Sequence, residues 1–324
     1  VKKLVFISAL LICSANIAGQ QLPLYSQYLY NKFLINPAVA GSDGFTSFNL
    51  TAREQWAGYS GAPRTFSISG QTRILKSGYS LKKSSRGNVY RPKTDGKVGF
   101  GGYIFSDRNG LIQRTGFQAS YSYHMWVQSN TQLSMGLAVT GYHFKINELE
   151  IDFQDPNEPW LNNDLRRGIF VPDVDFGIYI LNPKYNVGFS TLQLFGAAAK
   201  IGSDAYQNFR MDRHYYLFSS YSFAVGNKTE LQPSGLLMMS EQEKPMADIG
   251  LTYIYDQKIW AGLTYRTSKA IIANIGFTYT NMYIGYAFDF TLQEIQRVTY
   301  GTHELTLAIR FGDSARKYRW LDRY

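Results

Sequence analysis

The stretch His303-Glu304-Leu305-Thr306-Leu307-Ala308-Ile309-Arg310-Phe311 alternates without a break: Leu305, Leu307, Ile309 and Phe311 on one side, Glu304, Thr306, Ala308 and Arg310 on the other. Just upstream, Met282–Phe290 sets Met282, Ile284, Tyr286, Phe288 and Phe290 against Tyr283, Gly285, Ala287 and Asp289. Ile271–Tyr279 does the same, with Ile271, Ala273, Ile275, Phe277 and Tyr279 opposite Asn274, Gly276 and Thr278. Successive side chains of a strand point to opposite faces, so each segment is a strand with one apolar and one small or polar face.

A soluble sandwich alternates too, and three further features decide. The segments run to about nine or ten residues, the length that crosses a hydrocarbon core at a tilt. Aromatics such as Tyr255, Trp260, Tyr265, Tyr279, Tyr286 and Phe311 sit mainly near segment ends, as interfacial girdles do. The polar face is rich in Gly, Thr, Ala and Asn, which suits a lumen better than a packed core. The expected fold is all-β, a transmembrane antiparallel up-and-down β-barrel of about 14 strands in a cell outer membrane. Strands are expected near 45–54, 64–75, 97–106, 111–126, 131–145, 174–182, 185–192, 213–225, 229–238, 246–255, 258–267, 270–279, 282–290 and 303–311. With the first strand starting in the periplasm, the periplasmic connections are short and the long ones 146–173, 193–212, 239–245 and 291–302 fall outside, except for 76–97, a long connection on the periplasmic side.

Composition agrees. No window of eighteen apolar residues follows the N-terminus, so helical spanning is not expected. Residues 1–19 read as a secretory signal: Lys2 and Lys3, an apolar run from Leu4 to Ile12, then small residues. The sole cysteine, Cys13, lies within it, so the exported chain carries no disulfide. The formal charge of +9 falls to +7 when Lys2 and Lys3 leave. Such a charge often marks nucleic-acid binding, but the basic residues cluster in one loop and the tail rather than on a nucleic-acid motif. The expected organisation is signal peptide 1–19, N-terminal periplasmic segment 20–44, barrel 45–311 and basic periplasmic tail 312–324.

Two segments before and after the first strand carry turn chemistry: Asn36-Pro37-Ala38 with Ala40-Gly41, and Arg53-Glu54-Gln55-Trp56 running to Gly61-Ala62-Pro63-Arg64-Thr65. Together with Ser26-Gln27-Tyr28 and the terminal Gly301-Thr302-His303-Glu304, they resemble the signature of the PorP/SprF family, outer-membrane proteins of the Bacteroidota type IX secretion system. The resemblance spans nearly the whole chain after the leader. Departures are Arg64 between Pro63 and Thr65, and the basic tail beyond Phe311. The resemblance implies a role in export or surface attachment of a large secreted protein, such as a gliding adhesin. It also implies contact with periplasmic components of the machine, including peptidoglycan-associated ones.

Candidate contact residues follow from loop chemistry. Trp56, Tyr59 and Pro63 lie in the first outer loop. Lys82, Lys83, Arg86 and Arg91 belong to the basic connection 76–97, either a solvated loop or a docking surface for an acidic partner. Lys317, Arg319 and Trp320 in the tail would join it. Trp160 sits in the acidic stretch 148–164, whose carboxylates lack the spacing of an EF-hand, so no metal is expected. Phe195 lies in the apolar, Gly-capped Leu192–Gly202, which either folds into the barrel mouth or forms an exposed patch.

Catalysis is not expected. Thr302-His303-Glu304 offers a hydroxyl, an imidazole and a carboxylate, but strand neighbours face opposite ways and cannot converge without a bulge. No Gly-x-Ser-x-Gly, zinc spacing or phosphate loop appears, and no cofactor is expected. The rival to a secretion role is a passive channel lined by Arg266, Arg310, Asp248 and Asp289. Inward Tyr283 and Trp260 point instead to a filled interior.

Overall fold

A computed structural model describes residues 23–74, 97–128, 130–146, 168–196, 198–199 and 209–311. Fourteen strands form the wall: β1 (Thr46–Glu54), β2 (Arg64–Ile74), β3 (Val98–Asn109), β4 (Ile112–Gln128), β5 (Thr131–Ile146), β6 (Ile169–Leu181) and β7 (Tyr185–Leu192). The second half comprises β8 (His214–Tyr221), β9 (Thr229–Ser240), β10 (Met246–Tyr255), β11 (Ile259–Arg266), β12 (Ala270–Tyr279), β13 (Met282–Thr291) and β14 (Thr302–Phe311). Each strand pairs antiparallel with its sequence neighbours. The ring closes where β1 pairs with β14, from Thr46 opposite Phe311 to Glu54 opposite His303. No edge strand is left, which is what lets a sheet sit in hydrocarbon. No helix among the described residues is long and apolar enough to cross a membrane.

The alternation read from the sequence sets the two faces. Phe48, Leu50, Ile68, Ile104, Leu137, Ile249, Leu251, Leu263 and Ile275 stand outward and exposed. Ser47, Asn49, Thr51, Ser67, Ser69, Thr252, Asn274 and Thr306 point inward and are buried. This arrangement, apolar outside and polar inside, is that of a barrel solvated by lipid. Exposed Tyr123, Tyr221, Tyr255 and Tyr279 ring one end of the strands, at interfacial height.

At that end the connections are short. Asp256 and Gln257, both at positive φ (50° and 56°), make the two-residue hairpin turn whose twist matches the flanking strands. The connection between β2 and β3 is the long exception on this side, as the sequence reading placed it; residues 75–96 lie outside those described. The opposite end carries the connections around 55–63, 241–245 and 292–301.

Element boundaries differ from expectation in three places. β6 starts at Ile169 rather than near 174, β3 continues to Asn109, and the expected 213–225 strand is interrupted. Its register with β9 runs from His214 opposite Ser240 to Ser220 opposite Ser234, and resumes with Phe223 opposite Leu231. Two pairs are missing, Tyr221 with Pro233 and Ser222 with Gln232, and Pro233 has no N–H to give the ladder.

A larger correction concerns the N-terminal segment. The sequence reading set 20–44 outside the barrel; from Pro23 onward it lies inside. Lys32–Leu34 and Pro37–Val39 are short 3-10 turns whose residues are all buried. Phe33 and Ala38 have 0% exposure although neither belongs to the wall. The barrel therefore encloses its own hydrophobic core: Tyr28, Phe33, Leu34, Ile35 and Val39 of the segment against Tyr103, Phe105, Tyr142, Tyr179 and Phe218 of the wall.

Candidate functional site in the plugged lumen

The enclosed segment runs along the barrel. Ser26 and Gln27 meet Glu304, near the start of β14, at the long-loop end. The Ala40 carbonyl accepts from Ser122 Oγ (2.6 Å), late in β4, and the Ser42 carbonyl accepts from Gln132 Nε2 (3.2 Å), early in β5. Those residues flank the short turn between β4 and β5, so the segment descends the lumen and turns into β1.

Its upper anchor is a buried charge cluster. Glu304 accepts the backbone N–H of Ser26 on Oε2 and of Gln27 on Oε1, each at 2.8 Å. Arg53 donates to Ser26 Oγ at 2.7 Å, to Glu304 Oε2 at 3.0 Å and to Asp289 Oδ2 at 2.9 Å. Ser26 Oγ in turn donates to Asp289 Oδ2 (2.6 Å). Arg266 grips Asp248 through two parallel bonds of 2.7 and 2.8 Å, and lies 3.8 Å from Asp289. Three carboxylates thus face two guanidiniums, and the peptide N–H groups of Ser26 and Gln27 answer the remaining negative charge. In a low-dielectric interior such a cluster holds only when its members are hydrogen-bonded to one another. Breaking one partner costs about 3–5 kcal/mol.

The middle anchor is Asn36. Its Nδ2 donates to the carbonyls of Ile178 (3.0 Å) and Phe189 (3.1 Å), while its Oδ1 accepts from Ala38 N and caps the Pro37–Val39 turn. Ser190 Oγ donates to the Ile35 carbonyl. The wall makes room by being small: a Cβ on Gly136 would strike Pro37 and Ala38, and one on Gly177 would strike Asn36.

At the long-loop end, the connection 55–63 is zipped to 292–301. Trp56 N donates to Thr302 Oγ1 (3.1 Å), Ala57 N to the Gly301 carbonyl (2.8 Å) and Tyr300 N to the Ala57 carbonyl (2.8 Å). Gly58 has φ +88°, and any side chain there would meet the Tyr300 ring. Tyr59 and Tyr300 are left exposed on this surface. Pro63, half-buried, accepts Gln55 N on its carbonyl. Phe195 sits over a different sector, above β6–β8. Its backbone N–H donates to Asp173 Oδ1, Gln193 N–H to Asp175 Oδ1, and Arg213 Nε to the Leu194 carbonyl. That scaffold holds the Phe195 ring out, 67% exposed. Of the two readings of this apolar stretch, Phe195 fits the exposed patch.

Trp56, Tyr59 and Pro63 therefore come together; Phe195 stands apart from them. Lys82, Lys83, Arg86, Arg91, Trp160, Lys317, Arg319 and Trp320 lie outside the described residues, as do the signal peptide, the acidic stretch 148–164 and the tail. Sequence reasoning missed the roles of Ser26, Gln27, Asn36, Arg53, Asp289 and Glu304. Most of them stand in the quoted motifs, but nothing local in those motifs says that they meet. His303 and Glu304 do face opposite ways: His303 Nδ1 bonds Tyr286 Oη (2.7 Å) while Glu304 is buried inside.

A family model described as type IX secretion system membrane protein PorP/SprF matches residues 17–309. Comparison with curated proteins yields no match. Among solved structures, the chain is similar to the Acinetobacter baumannii outer membrane protein Omp33, at 8% identity over 83% of this chain and 100% of that one, with a TM-score of 0.41. It is similar to the toluene transporter TodX of P. putida, at 8% identity, 86% and 93% coverage and a TM-score of 0.45. A third is the monoaromatic hydrocarbon channel CymD, at 11% identity, 90% and 94% coverage and a TM-score of 0.47.

Proposed function

From the premise that this chain belongs to the PorP/SprF family of type IX secretion system membrane proteins, we propose that it acts as a plugged outer-membrane adaptor. Its loops assist export or surface attachment of a secreted, adhesin-like protein. The observation that carries this reading is the lumen segment 23–45, anchored through Ser26, Gln27, Asn36 and Arg53. A barrel whose interior is packed with its own chain works through its rims. The long-loop rim offers Trp56, Tyr59 and Phe195 to the exported protein. The basic connection 76–97 and the tail, with Lys82, Lys83, Arg86, Arg91, Lys317, Arg319 and Trp320, serve the opposite rim, where their charge suits an acidic periplasmic or peptidoglycan-associated partner. The role is one of binding, not of catalysis.

The test is purification from outer membrane through a C-terminal tag in mild detergent, with co-purifying proteins identified by mass spectrometry. Recovery of a large secreted adhesin-like protein or an OmpA-like periplasmic protein is expected. A lone barrel that conducts ions in planar bilayers would overturn the adaptor reading in favour of a passive channel.

A further inference from the structure

The lipid-facing wall is not evenly covered by large side chains. Val187 of β7, Ser219 of β8 and Gly235 of β9 stand side by side in register, and Ile249 of β10 continues the row. All four point outward, so between two branched side chains the wall carries only a hydroxymethyl group and a hydrogen. Ser219 and Gly235 thereby form the floor of a groove bounded by Val187, Tyr185, Tyr221 and Pro233. The groove holds about 450 Å³, within the size range of ligand clefts. A Cβ on Gly235 would meet no atom beyond its chain neighbours nearer than the Asp248 carbonyl oxygen, at 3.9 Å, so the floor faces open space. The break in the β8–β9 ladder at Pro233 adjoins it, and hollow and break coincide.

Depth and charge indicate what fills it. Tyr221 belongs to the tyrosines that ring the short-turn end at interfacial height, and Ser219 is the next outward position deeper along β8. The groove therefore runs from the interface into the hydrocarbon of the periplasmic leaflet. Within hydrocarbon there is no hydrophobic drive to choose one occupant over another, and close packing and the headgroup decide. Two turns frame the mouth, and each carries a lysine. Lys184, in the turn between β6 and β7, is exposed, and its carbonyl accepts Ser222 N at 2.7 Å, which ties that turn to the end of β8. Lys228, in the turn between β8 and β9, has a side chain 63% exposed. Asp256 lies 3.7 Å from Lys228 and closer, 3.0 Å, to Lys258. Glu230 lines the lumen instead. Among these turns, three lysines thus stand around one carboxylate, at the height where lipid phosphates lie.

We propose that β7–β9 form a binding site for an anionic phospholipid of the periplasmic leaflet. One acyl chain lies in the groove over Ser219 and Gly235, and the phosphate rests on Lys184 and Lys228. The bound chain fills the wall beside Pro233, where the sheet lacks two cross-strand pairs. The site involves neither the plug nor the long-loop rim.

Native mass spectrometry of the full-length protein in detergent micelles, titrated with phosphatidylglycerol, tests the site. Phosphatidylcholine with the same acyl chains and no net charge is the control. A saturable first adduct of phosphatidylglycerol is expected, tighter than that of phosphatidylcholine by about fivefold for each lysine engaged, the usual effect of a basic residue at an anionic lipid surface. Lys184→Gln with Lys228→Gln should erase that difference. Arg213→Gln with Lys269→Gln, which removes two cations at the opposite rim, should preserve it. Gly235→Leu, which fills the floor, should weaken both lipids several-fold. Absence of a saturable adduct overturns the proposal. So does equal binding of the two lipids by the parent, or undiminished binding in both the lysine and the glycine variants. A triacylated lipopeptide with an uncharged peptide that displaces phosphatidylglycerol and binds more tightly would assign the groove to a lipoprotein anchor and overturn it as well. Heat-modified electrophoretic mobility confirms that each variant is a folded barrel.

Discussion

Glu304 accepts from the peptide N–H of Ser26 and of Gln27 and shares its Oε2 with Arg53. Its two oxygens thus tie the upper end of the plug to the wall. Glu304→Gln keeps the shape but removes the charge, and a hydrogen bond to a charged group is worth about 1.5–3 kcal/mol against about 1 for a neutral one. The expected result is faster amide hydrogen exchange at Ser26 and Gln27, by roughly 10-fold on the same scale, while exchange in the outward-facing strands is unchanged. Unaltered protection at those two amides would show that the plug is held elsewhere. Arg53→Leu should loosen the same end more, by about 3–5 kcal/mol, because it strands Asp289 and Glu304 without their shared cation. Proteolytic cleavage within 23–45 in micelles reports it; equal resistance of variant and parent would contradict the anchor.

Seating a 3-10 turn against a strand requires strand positions without side chains, and β5 and β6 supply them at Gly136 and Gly177. Both glycines point inward, so a side chain at either meets the plug and not the lipid. Gly136→Val with Gly177→Val is expected to displace Asn36–Ala38 while leaving the fourteen-stranded ring closed. Unitary conductance in planar bilayers should then rise well above that of the parent, with unchanged heat-modified mobility. Parent-like conductance would mean that the plug tolerates the overlap. Length is a second lesson at this scale. β8 stops at Tyr221 because the residue opposite, Pro233, cannot donate, and a local covalent fact thereby ends a strand that periodicity alone would continue.

For the whole molecule the governing fact is inversion: the lipid-facing belt is exposed and apolar, and the interior holds ions, amides and hydroxyls around a small aromatic core. Mid-belt charge should be costly and rim charge tolerated. Leu251→Arg is expected to lower stability by about 2–4 kcal/mol. Gln257→Arg in the hairpin turn should change it by less than about 0.5 kcal/mol. Denaturant titration into lipid vesicles measures both, and equal costs would argue against a membrane belt at Leu251.

Several features were legible in the residues themselves. Alternation in Ile271–Tyr279, Met282–Phe290 and His303–Phe311 gave the faces as they stand, because a strand's side-chain direction depends only on its own backbone. The opposed directions of His303 and Glu304 follow from the same local rule, whereas the barrel was legible only from strand length, aromatic girdles and the small polar inner face taken together. The motif residues were visible as well, and their resemblance to the PorP/SprF signature agrees with the family match over 17–309. Their purpose was not visible. Arg53 and Glu304 lie 251 residues apart and Ser26 and Glu304 278 apart. Only closure of β1 on β14 sets Arg53 opposite Glu304. The segment before β1 carries no period of 2 or 3.6 to announce where it goes. Its Leu29, Phe33, Leu34 and Ile35 are apolar in a way that fits a lumen only once that lumen exists. Periodicity is a property of a few neighbouring residues; a plug and a charge cluster are properties of a closed ring, and the tertiary structure decided them.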